Sequence, residues 1–349
     1  MSKPTDESIG LDVAWSLQGF SAKLKSRLLS ALDRAGARKI DQKGLEQDRK
    51  QALHRAMTDV QLALIATSGE ALQERIRNDP ELAQRALTLF SRAERQAENF
   101  EASLGLAVED LKNNPSTTAE GADSPDVLDP DFLNRWENYA SGATSEIVRE
   151  KWGRVLSSEI REPGTFSLKT LRIIDELDQE TAILFQRFCQ SRIDMWAPEL
   201  LLDLSSSELS SLAQAELVLE AELPSTISFL ETINGAGEKW WILKNNNLGV
   251  VVRQNPRPPC ITEGPFNFDP IHIADGKLKL NMIVLTKVGV ALSAIIPRDE
   301  EAVFRRLAEA ISKDAEGSAI FVHRNPDGGM SAVTEEAVAP PAEVKISTE

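Results

Sequence analysis

Residues 113–130 read NNPSTTAEGADSPDVLDP, a run of Asn, Pro, Ser, Thr, Gly and Asp that offers little to fill a core. Such a segment predicts a linker, and it divides the chain before any other pattern is considered. The 349 residues suffice for two or three domains, each with its own core. On the N-terminal side, residues 11–112 are made of good helix formers with no strand-like alternation. Leu24, Leu28 and Leu32 recur every fourth residue, and Leu82, Ala86, Leu89 and Phe90 form a second apolar stripe. Asn78-Asp79-Pro80 has the form of a helix start, because proline in the first turn sacrifices no helical hydrogen bond. The heptad is weak, so a bundle or helical hairpin is expected rather than a long coiled coil.

Beyond the linker the helical period returns. Phe132, Trp136, Tyr139 and Ala140 make one stripe; Ser145 is placed to cap a helix carrying Val148, Trp152, Val155, Leu156 and Ile160, which Glu162-Pro163-Gly164 stops. Ser167 and Asp178 are placed to cap two further helices, so 131–192 reads as a closely packed helical block. Its aromatic set Trp136, Tyr139 and Trp152 lies at helical spacing, which favours a core over a partner or nucleobase platform. Ser205-x-x-Glu208 then has the form of a capping box. Strand-like runs follow at 240–243, 249–253 and 277–285, with a helix opening at 285–289, another at 300–313 and a strand at 319–323. This order resembles a winged helix with a long insertion, spanning 193–325. The polar, proline-containing stretch 326–349 is expected to be a disordered tail. The expected fold is mainly α with a smaller α+β part: N-terminal helical bundle, central helical block and winged-helix-like C-terminal domain.

Charge narrows the function classes. From 193 to 238 there is no Lys or Arg, while Asp194, Glu199, Asp203, Glu208, Glu216, Glu220, Glu222, Glu231 and Glu238 supply carboxylates. The helix at 205–212, where a DNA-reading helix would lie, therefore repels phosphate, and nucleic-acid binding there is disfavoured. Acids and bases balance through residue 113, so the net charge of −15 falls on the remainder. Within 20–55, by contrast, bases outnumber acids, and Lys23, Lys25, Arg27, Arg34, Arg38 and Lys39 are candidates for an electrostatic interface. Such a region suits nucleic acid, anionic lipid, or the acidic half of the same or a neighbouring chain; the last needs no external ligand. Trp240 and Trp241, adjacent in a predicted strand, must point to opposite faces and are candidate aromatic contacts.

Nothing short-range predicts catalysis. Cys189 and Cys260 have no metal-type spacing, His54, His272 and His323 are isolated, and no phosphate-cradling loop or nucleophile elbow is present. Asn325 to Gly329 reads as a turn. No cofactor or metal is therefore expected, although a site assembled from distant residues leaves no short motif. No apolar run approaches a membrane span, and MSKPTDESIG lacks the pattern of a secretory signal, so a cytoplasmic location is expected.

The run through Phe132-Leu133-Asn134-Arg135-Trp136, Lys151-Trp152, Val155-Leu156-Ser157-Ser158-Glu159-Ile160 and Pro163-Gly164-Thr165-Phe166-Ser167-Leu168, with Leu285-Thr286 to Gly289-Leu292 later, resembles a bacterial family of unknown function. More distantly, the block is similar to the abortive-infection alpha proteins of bacteria. That similarity implies a role in phage defence or a related stress response, and transfers no catalytic residue. The expected function is thus a non-enzymatic intracellular interaction protein with a protein partner or a second copy. The alternative is a nucleic-acid-binding regulator contacting phosphate through 20–55.

Overall fold

The structure is a computed structural model that describes residues 21–34, 78–114, 125–220, 225–234, 236–263, 269–325 and 329–332. Much of the expected 11–112 bundle and of the expected linker, and most of the expected tail, lie outside these residues. The chain divides into two compact units, 1–171 and 172–349.

In the first unit, helices α1 (Ala22–Arg34), α2 (Pro80–Asn113), α3 (Pro130–Ser141) and α4 (Glu146–Arg161) pack around one core. The caps follow from sequence. Asp79 accepts from Glu81 N and Leu82 N ahead of Pro80, and Ser145 Oγ accepts from Val148 N. The stripe Phe132, Trp136 and Ala140 is buried against Trp152, Val155 and Leu156, and Trp136 Nε1 donates to Trp152 O at 2.8 Å. Tyr139 stacks on Trp152 at 5.0 Å between centroids, which settles the aromatic set as core packing. Gly153 lets α4 approach α2: a Cβ there would sit 2.8 Å from Leu106 Cβ and 3.0 Å from Ser103 O.

Helix α5 (Leu168–Glu176) carries the division between the units. In the second unit, α6 (Gln179–Cys189) starts at the Asp178 cap and α7 (Ser206–Gln214) at a complete Ser205–Glu208 capping box. The strands are β1 (Trp196–Pro198), β2 (Ser225–Ser228), β3 (Leu230–Ile233), β4 (Lys239–Asn245), β5 (Leu248–Arg253), β6 (Thr262–Glu263), β7 (Ile271–Ala274), β8 (Lys277–Val284), β9 (Ala319–Arg324) and β10 (Met330–Ala332). Helices α8 (Lys287–Ser293) and α9 (Glu300–Ser312) lie between β8 and β9 in sequence.

The fold is a mixture of α and β, with two five-stranded sheets among the described residues. In the first sheet β8 pairs with β1, β2 and β7, and β7 pairs with β6. The second runs β10-β9-β5-β4-β3, antiparallel throughout. Both sheets and α9 share one core that includes Trp241, Val250, Phe304, Leu307, Leu278 and Phe321. This arrangement does not support the expected winged helix. The strands at 240–243 and 249–253 are not a wing hairpin beside three helices but the centre of a sheet completed by β9 from the far end of the unit. Residues 330–332, expected within the tail, form β10, which pairs with β9, and Asn325 N donates to Gly329 O at 2.7 Å; residues 326–328 of the expected turn lie outside the described residues.

The Leu285–Gly289 motif has a physical reading. Thr286 Oγ1 caps α8 by accepting from Gly289 N, and Thr286 N donates to Leu217 O. A Cβ on Gly289 would come within 2.0 Å of that same carbonyl, so only glycine fits.

Candidate interaction surface

A central strand has two faces, and β5 carries apolar side chains on both: Val250 and Val252 enter the core, while Val251 points the other way. The same holds for β9, where Phe321 is core and Ile320 and Val322 face outward, and for β4, where Trp241 and Leu243 are core and Trp240 and Ile242 face outward. Strand register aligns these outward residues. Leu230 of β3 pairs with Ile242, Ile242 with Val251, and Val251 with Ile320, giving an apolar row across four strands. Helix α9 covers the opposite face.

The outward face forms a half-open groove of about 850 Å³, lined also by Thr232, Lys244, Arg324, Met330 and Ala332. Its aliphatic floor is half-buried, and Leu230 at the edge is 58% exposed. Lys244 and Arg324 stand exposed near one end. Arg253, paired opposite Trp240, lies over its ring at 5.0 Å. Lys244, Arg324 and the carboxylate of Glu231 thus border an aliphatic floor, with Arg253 beside it over Trp240.

The tryptophan pair behaves as adjacent strand residues must. Trp241 points into the core and Trp240 into the groove floor, and each is only 6% exposed. Neither ring is freely accessible, because the core covers one while Arg253 covers much of the other. The Nε1 atoms of both are buried without a hydrogen-bond partner.

The basic candidates are not brought together as one surface. Arg27 is fully buried and donates to Pro125 O at 2.8 Å, Ile160 O at 2.8 Å and Arg161 O at 3.3 Å. Its guanidinium caps the C-terminal end of α4, a favourable place for a cation, and is unavailable to a ligand. Lys23 and Lys25 are half-buried on α1; Arg34 closes that helix, and Arg38 and Lys39 lie outside the described residues.

Charged and polar residues of α4 also have local roles. Arg161 bonds Asp110 of α2 at 2.6 Å, and Ser157 Oγ donates to the same carboxylate at 2.5 Å. Burial raises the Asp110 pKa, but the bonds from Ser157 and Arg161 and the Arg161 charge outweigh it, leaving it below its ordinary value. Glu159, 2% exposed, clamps the loop after α4 by accepting from Gly164 N at 2.6 Å and Phe166 N at 2.9 Å. Burial raises its pKa more than those donors lower it. Of the acidic stretch, Glu208 completes the α7 cap and pairs with Arg187 at 2.8 Å.

Burial pushes the Cys189 thiol up to about 12, so its thiolate is scarce at neutral pH, and burial raises Cys260 as well. Among the described residues no group of His, Cys, Asp and Glu could hold a metal ion. No described helix is long and apolar enough to cross a membrane.

The outward residues Ile242, Val251, Ile320 and Val322 are absent from the candidates predicted by sequence. A signal was present: unbroken apolar runs such as Gly249 to Val252, rather than alternation, mark strands apolar on both faces.

The model of a protein family of unknown function, DUF2806, matches residues 83–223, less than half of the chain. The matched segment runs from α2 past α7 and ends before β2, so the groove lies wholly outside it. No curated protein and no solved structure shows a significant match.

Proposed function

We propose that the protein is a non-enzymatic interaction protein that receives a partner polypeptide on the outward face of its second sheet. The observation that carries this reading is the apolar row Leu230, Ile242, Val251 and Ile320, continuous across four strands and lining an open groove. Open apolar faces bordered by polar residues favour association, since burying them releases roughly 25 cal/mol per Å² of apolar surface before the costs of binding. The cations bordering the floor add orientation rather than most of the energy.

The alternative, a nucleic-acid regulator acting through 20–55, draws on Lys23 and Lys25 but loses Arg27 to the interior. The groove serves it poorly: an aliphatic floor with one largely covered Trp gives a base little to stack on. A role in phage defence, and a cytoplasmic setting, belong to the same proposal and draw on the resemblance of the 131–188 block and on the chain's composition.

The test is affinity capture with the full chain from cells that produce it, comparing wild type with Val251→Thr, a change that keeps strand propensity while placing a hydroxyl on the floor. The docking reading expects a polypeptide retained by wild type and largely lost with the variant. Capture of nucleic acid by both, with no polypeptide difference, would overturn it.

A further inference from the structure

The groove has a polarity that specifies more than apolar contact. Side chains two residues apart on a strand lie about 7 Å apart, so the Trp240 and Lys244 rows are separated by about 13 Å. Between them lie Ile242, Val251 and Ile320; at one end stand Lys244 and Arg324, at the other Arg253. Some surface cations of this acid-rich chain take carboxylate partners, as Arg154 with Glu150 at 2.6 Å, Arg257 with Glu263 at 2.8 Å and Lys279 with Asp275 at 2.9 Å, while others, such as Arg135 and Lys287, stand exposed without one among the described residues. Lys244 and Arg324 have no ion pair among the described residues, and each projects beside the groove. Glu231, on β3, is the one carboxylate of the lining; with two cations against it near one end, the floor complements a ligand that is apolar in its middle and anionic at that end.

We propose that the occupant of this face is an extended acidic segment of a partner polypeptide, its apolar side chains over Ile242, Val251 and Ile320 and its flanking carboxylates on Lys244 and Arg324. This rests on the docking reading above and adds the chemistry of the partner. An extended chain covers the distance between the two ends in about four residues. A carboxylate takes a bidentate grip on the Arg324 guanidinium and a point contact from Lys244. An aliphatic floor suits Val or Ile side chains and gives nucleobases no platform, which separates this occupant from a single-stranded nucleic acid.

The experiment measures fluorescence anisotropy of two short labelled peptides with the full chain, one with a Val-Ile-Val centre flanked by glutamates and one with lysines in their place. A labelled oligothymidylate is the third probe. The expected result is binding of the glutamate peptide at least about tenfold tighter than of the lysine peptide, weakening as salt rises. In the Lys244→Glu/Arg324→Glu double variant the preference should reverse. That reversal is a gain of binding that misfolding cannot imitate. Equal affinity for both peptides, binding of neither, tighter binding of the oligonucleotide, or self-association abolished by the double variant would each overturn the proposal. The two readings fail separately. If Val251→Thr still loses the captured polypeptide while neither peptide binds, docking stands and the acidic segment falls. If Val251→Thr changes nothing in the capture, the docking reading falls and takes this one with it.

Discussion

Arg27 shows how far a side chain's role depends on what its helix faces. In sequence it is one cation in a basic region; in the fold it is fully buried at the end of α4, meeting three carbonyls. Nothing in its local spacing distinguishes it from Lys23 or Lys25, because the carbonyls it serves are about a hundred or more residues away in the chain. Replacing it with Met should strand those acceptors and cost about 1–3 kcal/mol, read as a lower urea midpoint at unchanged slope. Glu159 and Asp110 give opposite pH signatures. The folded-state pKa of Glu159 is raised, so its contribution is complete below the ordinary 4.5 and is lost as pH rises through the higher folded value. That of Asp110 is lowered, so its contribution is present above the ordinary 3.8 and is lost as pH falls through the lower folded value. Urea midpoints measured across the acid range should therefore fall less at the acid end in Asp110→Asn, and should lose part of their decline above pH 4.5 in Glu159→Gln. Unchanged slopes in both variants would contradict these assignments.

At the level of elements, several helices were legible because they announce themselves twice, by a stripe and by a cap. Asp79-Pro80, Ser145, Asp178 and Ser205-x-x-Glu208 all cap where their spacing predicts, since a cap is decided by three or four consecutive residues. The longer strands β4, β5, β8 and β9 were legible as apolar runs, whereas β1, β6 and β10 have three residues or fewer, too short for any period. Sheet order was not legible. Pairing β5 with β9 joins residues some seventy positions apart, and no local pattern encodes it. That hidden pairing misled the winged-helix expectation and also built the groove. Close approach of α2 and α4 carries its own prediction. A methyl at Gly153 meets Leu106 Cβ at 2.8 Å and backbone at 3.0 Å, so Gly153→Ala should destabilise the first unit by about 1–3 kcal/mol despite the better helix propensity of Ala. Differential scanning calorimetry checks the sign: a raised or unchanged melting temperature would mean that the helices stand further apart.

For the molecule as a whole, charge and apolar surface divide the work. The acidic stretch 193–238 is partly consumed internally, as at Glu208, and disfavours phosphate where it is exposed; the cations of the second sheet flank an aliphatic floor instead. The sign of that stretch was legible, but the groove was not, because its residues come from five strands spread over a hundred positions. The most direct measurement is site-specific photocrosslinking in the producing cells, with p-benzoylphenylalanine at Leu230, which is 58% exposed at the groove's edge, or at Lys23 on α1. A polypeptide adduct from position 230, and none from position 23, is the predicted result. Adducts from position 23 alone, or nucleic acid in place of polypeptide at position 230, would contradict the account.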